Sequence, residues 1–132
     1  MNVEKMVLTV YVVCFVVFGI PGLFLPDMFS ALLQYEFITP VAKMEFVAAY
    51  GGLILGIGLY LLYCLKTNVK TGLVAVFIIA GSLFLGRLIG YQMSGEINGL
   101  QTFFLSIESV TVIIVGLVLV KSERFVRRAE VT

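Results

Sequence analysis

The chain contains no histidine and no tryptophan, only two cysteines and three prolines, and just nine Lys plus Arg against eight Asp plus Glu in 132 residues. Without histidine there is no His-ligated haem, no His-based zinc or di-iron site and no Ser-His-Asp nucleophile. Cys14 and Cys64 each stand alone in an apolar stretch, far from a C-x-x-C spacing, which argues against a thiol oxidoreductase. One lies mid-span and the other near a span end, so no disulfide is expected. A net charge of +1 argues against a nucleic-acid partner. The overall shortage of charge is the most informative absence. Charged residues make up 13% of the chain, about half the share of an ordinary soluble domain, and too few to cover a water-facing surface.

What fills the chain instead is hydrocarbon: 61% of its residues are hydrophobic and the mean hydropathy is +1.10. This composition predicts an integral membrane protein, all-α. A membrane span takes about 20 residues, which leaves no room for a soluble domain beside four spans. Apolar runs and their breakers place the spans at 6–25, 41–65, 71–93 and 99–120, in a single four-span domain over 1–132. Pro21, Gly22 and Pro26 close the first. The mixed stretch 27–39, with Met28, Phe29, Leu32, Leu33 and Phe37 among Ser30, Gln34 and Glu36, is too short to span and reads as an interfacial segment between helices 1 and 2. Pro40 suits the first turn of the second span, and Lys66-Thr67-Asn68 ends it. Short connections after the second and third spans make consecutive helices antiparallel neighbours in a four-helix bundle. Lys5 is a weak positive flank for a signal peptide, but no A-x-A-like cleavage site follows, so the first apolar run is read as a retained span.

Basic residues are divided unevenly between the two ends of such a bundle. Lys5, Lys66, Lys70, Lys121, Arg124, Arg127 and Arg128 fall on one face, whereas the other has Lys43 with Asp27, Glu36 and Glu96. The positive-inside rule then puts both termini in the cytoplasm, with 121–132 as a basic cytoplasmic tail.

Three charges fall inside the spans. Glu45 lies roughly 7 Å into the second, Arg87 roughly 9 Å from the end of the third and Glu108 roughly 13 Å into the fourth, at 1.5 Å per residue. All three belong to the outer half of the bilayer. An unpaired charge there costs about 2.5–3.5 kcal/mol even on lenient insertion scales, so the three are expected to converge. Glu45 shares a stripe with Ala49, Gly52 and Gly56, Gly86 and Gly90 flank Arg87, and Gln101 and Thr111 lie on the side of Glu108. Two carboxylates against one guanidinium leave a surplus negative charge in a dry site. The expected resolution is an ionised Glu45–Arg87 pair with Glu108 protonated. The G-x-x-x-G pairs Gly52/Gly56 and Gly86/Gly90 are read as contacts within the bundle. Tyr50, Tyr60, Tyr63 and Tyr91 read mainly as interface anchors, with Tyr50 and Tyr91 close enough to the polar positions to join a binding site. The ligand-binding candidates are therefore Glu45, Tyr50, Gly52, Arg87, Tyr91 and Glu108, with no metal and no cofactor.

The order Glu45-Phe46-Val47-Ala48-Ala49-Tyr50-Gly51-Gly52-Leu53, then Gly86-Arg87-Leu88, then an intramembrane Glu108, resembles the small bacterial four-helix membrane proteins grouped as domain of unknown function 4345, whose layout is DoxX-like. The resemblance covers nearly the whole chain. It implies that fold and topology, with the family's polar positions on Glu45, Tyr50, Gly51, Gly52, Arg87 and Glu108, and implies no activity, substrate or cofactor.

Three functions fit these residues. The first is binding of a membrane lipid or other small hydrophobic molecule, its head at the Glu/Arg/Glu site. The second is a structural or accessory subunit in which the polar residues only lock the bundle. The third is an intramembrane isomerase-like enzyme or proton-linked transporter using Glu108. A homo-oligomer or a membrane-complex partner stays open. A binding site requires a cavity beside the polar residues; a pure lock requires none.

Overall fold

The computed structural model describes residues 2–129 of the protein, and side chains as far as Ser122. The basic residues expected at Arg124, Arg127 and Arg128 lie outside the described side chains. Helix α1 (Val3–Phe24) is followed by the short α2 (Pro26–Leu32); α3 (Pro40–Phe46), a π-helical turn (Val47–Leu53) and α4 (Ile54–Thr67) then run on as one second span. Helices α5 (Val69–Ser94) and α6 (Gly99–Ala129) are the third and fourth spans. The four long helices have the length and hydropathy to cross a membrane, and the protein is a multi-pass membrane protein. Val10, Val17, Ile78, Ile113 and Leu117 are all exposed in mid-helix. Such a surface belongs in hydrocarbon, where helices satisfy their own backbone and need no polar coat.

Local chemistry sets the helix ends. Pro21 still accepts the Leu25 N–H, and Leu25, at φ −132° and ψ 51°, breaks α1 so that Pro26 opens α2. Thr39 caps the second span by accepting the Ala42 N–H at 3.1 Å, with Pro40 in the first turn, where its missing N–H costs nothing. Asn68 breaks the α4–α5 connection and caps α5 through the Thr71 N–H at 3.2 Å. Gly95 stops α5 at φ 72°, a left-handed conformation that glycine adopts without strain. Asn98 accepts the Gln101 N–H at 2.8 Å at the start of α6 and donates to Gln34 at 2.7 Å, tying the two distal loops together.

The helices assemble as two tight pairs. Backbone runs against backbone between α1 and the second span: a Cβ on Gly19 would lie 2.6 Å from the Leu55 nitrogen, one on Gly51 2.6 Å from the Leu23 nitrogen, and one on Gly22 would collide with the Tyr50 carbonyl oxygen. Small residues permit this approach, which supplies the packing that membrane helices rely on. The second pair is α5 with α6. At the end carrying Lys5, Lys66 and Lys121, here the basic end, both pairs share an aliphatic core of Leu8, Val12, Leu61, Cys64, Leu73, Val76 and Val115. At the distal end the core is aromatic: Phe29, Leu33 and Phe46 pack with Phe37, Tyr50, Leu100 and Phe104.

The glycine pairing differs from the sequence expectation. Gly52 is exposed, and a Cβ on Gly56, Gly86 or Gly90 would meet nothing within 4 Å. The glycines packed between α1 and the second span are Gly19, Gly22, Gly51 and Gly58 instead, and Gly72 packs α5 against Leu8 and Cys64. The face of the second span is chosen by its partner: α1 offers Gly19 and Gly22, and only the Gly51–Leu55–Gly58 stripe lets the backbones close on them. Phe46 is buried on that same side, five residues before Gly51, a step longer than one α-turn. The π turn supplies the extra residue.

Candidate functional site

Arg87 sits two turns before the end of α5, and its partner is Glu108 on α6. The Arg87 Nε donates to Glu108 Oε1 at 2.8 Å, and Nη1 donates to Gln101 Oε1 at 2.5 Å. The guanidinium carbon stands 4.9 Å from the centre of the Phe104 ring, a cation–π contact strengthened by poor solvation. Gln101, Phe104 and Glu108 present one face of α6 because three and seven residues return to the same side of a helix. The pair is asymmetric, with the Arg87 side chain 28% exposed and that of Glu108 only 9%. Thr111, one turn further, is buried and accepts the Tyr11 hydroxyl at 3.0 Å, so the polar face of α6 also reaches α1.

Glu45 does not join them. It is exposed, on the outward stripe with Ala49, Gly52 and Gly56, and Phe46 takes the buried position beside it. The expected Glu45–Arg87 pair is therefore replaced by Arg87–Glu108. Near the distal end of its span a carboxylate can reach the interface by its own length. With Glu45 outside, the buried charges are one positive and one negative, and the surplus that called for a protonated Glu108 is gone. Gly52 leaves the site with Glu45.

Other candidates fall on either side of Arg87. Tyr50 is half-buried in the aromatic cluster, stacked on Phe46 at 4.6 Å, hydrogen-bonded to the Tyr35 hydroxyl at 2.9 Å, and within electrostatic range of Arg87. Tyr91 is exposed and, with Arg87, Gly90, Ser94, Glu96, Ile97 and Gln101, lines a cleft of about 160 Å³ at the distal end. Tyr60 and Tyr63 point outward, as anchors would. Among the described residues no three Cys, Asp or Glu gather as metal ligands.

Two features give the site its chemical character. First, polar groups stand in a mostly apolar cleft wall: among the described residues no hydrogen bond from Arg87 Nη2 or from the Gln101 amide nitrogen is made, Gln101 spending its oxygen on Arg87. Second, Glu108 Oε2 is enclosed and accepts no hydrogen bond. A buried carboxylate oxygen left without a donor is costly, so the network is not closed within the protein. Gln101 was read from its seven-residue spacing to Glu108, and Phe104 was findable from its four-residue spacing; Tyr35 comes from an irregular segment and carries no periodic signal.

The model of a family described as Domain of unknown function (DUF4345) matches residues 3–119. The chain belongs to this family. The DUF4345 match runs through all four long helices and takes in Arg87, Gln101, Phe104 and Glu108. No curated protein and no solved structure matches the chain.

Proposed function

We propose that the protein binds the polar head of a small hydrophobic, lipid-like molecule at Arg87 and Gln101, in the outer half of a bacterial inner membrane. The observation that carries this reading is the cleft itself: Arg87, a partly exposed charge within its span, forms its wall with Gln101 and Tyr91. A polar network that only locks helices in register has every donor and acceptor matched, whereas this one leaves donors facing an opening and one buried acceptor unmet. The orientation rests on the basic end: Lys5, Lys66, Lys70 and Lys121 lie there, and the positive-inside rule sends that end to the cytoplasm.

Native mass spectrometry with lipid analysis tests the reading, on protein extracted gently from its own membrane. Wild type is compared with the double variant Arg87→Met/Glu108→Leu, which removes both charges together and so avoids an orphaned ion. Wild type is expected to carry a discrete hydrophobic molecule that the double variant loses. Retention of the same molecule by both, or bulk phospholipid alone in both, overturns the proposal in favour of a structural pair.

A further inference from the structure

The stripe of α5 that starts at Gly72 continues through Ile79, Leu83, Gly86 and Gly90, all within about 40° of Gly72 around the helix at about 100° per residue. At the basic end this stripe is packed: a Cβ on Gly72 would meet Leu8 Cδ2 at 2.6 Å and Cys64 Cβ at 2.9 Å. In the distal half it is bare. A Cβ on Gly86 or Gly90 would meet nothing within 4 Å, and Leu83 is 43% exposed. The second span has the matching stripe, from Cys64 through Ile57 to Leu53, and Leu53 is 61% exposed. Helix α5 thus packs on α4 and parts from the π turn, leaving a groove between the second and third spans that opens to the side. From Ile79 to Gly90 it is about 16 Å long at 1.5 Å per residue. Gly90 belongs both to this groove and to the cleft at Arg87, so the two are continuous.

We propose that the groove takes the hydrocarbon chain of a molecule resident in the bilayer, whose uncharged carbonyl head accepts hydrogen bonds from Arg87 and Gln101; this rests on the head-group reading above. Charge complementarity sets the head. Arg87 is already neutralised by Glu108, and Glu96 stands at the cleft wall, so a second anion meets two carboxylates and a cation meets the guanidinium. The uncommitted groups are N–H donors, which select an oxygen acceptor without charge. The apolar walls and their sideways opening select a chain already dissolved in the membrane.

The test is photolabelling in phosphatidylcholine vesicles by a long-chain methyl ketone carrying a mid-chain diazirine, with peptide mapping of the adduct. Gly86→Leu fills the groove outside the cleft lining, and it should fold normally because its side chain enters open space; Arg87→Met/Glu108→Leu removes the head site. Wild type is expected to label on Leu53, Ile57 or residues 79–90, with labelling reduced about tenfold in each variant, equivalent to about 1.4 kcal/mol. The ketone without diazirine should compete, and the fatty acid of equal length should compete far less. If the glycine variant labels like wild type while the Arg87 variant does not, the groove is overturned and the head site stands. If the reverse holds, the head-group reading falls and the carbonyl assignment with it. Unchanged labelling in both overturns both, and equal competition by the fatty acid overturns the uncharged head.

Discussion

The two ends of the bundle solve the same packing problem differently. At the basic end all four spans meet around Leu8, Leu61, Leu73, Val76 and Val115, each almost completely enclosed. At the distal end only the α1 face of the second span is zipped, by Gly19, Gly22 and Gly51, and the other side parts from α5. There the pairs are bridged by the edge-to-face contact of Phe18 with Phe104, and by the Asn98–Gln34 hydrogen bond. Hydrocarbon chains of lipid are as apolar as leucine, so a membrane protein gains little by closing a gap unless side chains interlock. The basic end interlocks and holds the fold. The distal end leaves a groove and places its buried ion pair beside it, where low-stability elements that admit ligands are expected.

The sharpest way to break the contrast is to put the same change on both kinds of glycine. Gly22→Val forces side-chain atoms against the Tyr50 carbonyl, where backbone cannot yield without separating α1 from the second span. A loss of about 3 kcal/mol is expected, read as reduced folded yield and a lowered midpoint in denaturing detergent. Gly86→Leu, in open space, should leave that midpoint within about 0.5 kcal/mol of wild type. Equal losses at both positions would mean that the distal groove is as tightly packed as the α1 interface.

The ion pair gives the next largest effect. Glu108→Ala removes the Arg87 partner and leaves a guanidinium without its counter-charge. Because Arg87 is 28% exposed at the cleft, part of that penalty is relieved by solvent, and about 2 kcal/mol is expected, below the range for fully buried pairs. Arg87→Met/Glu108→Leu should recover most of it. A double variant no more stable than Glu108→Ala would show that the two side chains act separately.

The fold was legible because hydropathy reports directly on spans, and caps such as Thr39, Asn68 and Gly95 mark their ends. Arg87 and Glu108 were legible because charge inside a span is rare enough to demand a partner. Which partner was not. A stripe of Glu45, Ala49, Gly52 and Gly56 exists as drawn, but periodicity states only that residues share a face, never which way the face turns. The turning is decided by glycines on another helix and by the step from Phe46 to Gly51, which needs a π turn that no residue type announces. Gly52/Gly56 and Gly86/Gly90 carry the interface spacing of membrane dimers, yet the packed glycines Gly19 and Gly22 are three apart. Small residues mark where close approach is allowed. They do not mark where it occurs.

The smallest effect belongs to the Lys43–Asp27 ion pair, outside the bundle interior. Lys43 Nζ lies 2.7 Å from Asp27 Oδ2, shorter than the bond within the Arg87–Glu108 pair, but the side chains are 42% and 73% exposed. Length is a poor guide to energy when water solvates both partners: exposed pairs contribute about 0–1 kcal/mol and are screened by salt. Asp27→Asn should therefore shift stability by only a few tenths of a kcal/mol, with the shift vanishing at high ionic strength. The loss at Glu108→Gln should fade far less with salt, since Glu108, at 9% exposed, is enclosed even though Arg87 meets the cleft. If both losses faded together with salt, the distal end would be wet through to Glu108, and the separation between a solvated rim and a dry floor would not hold.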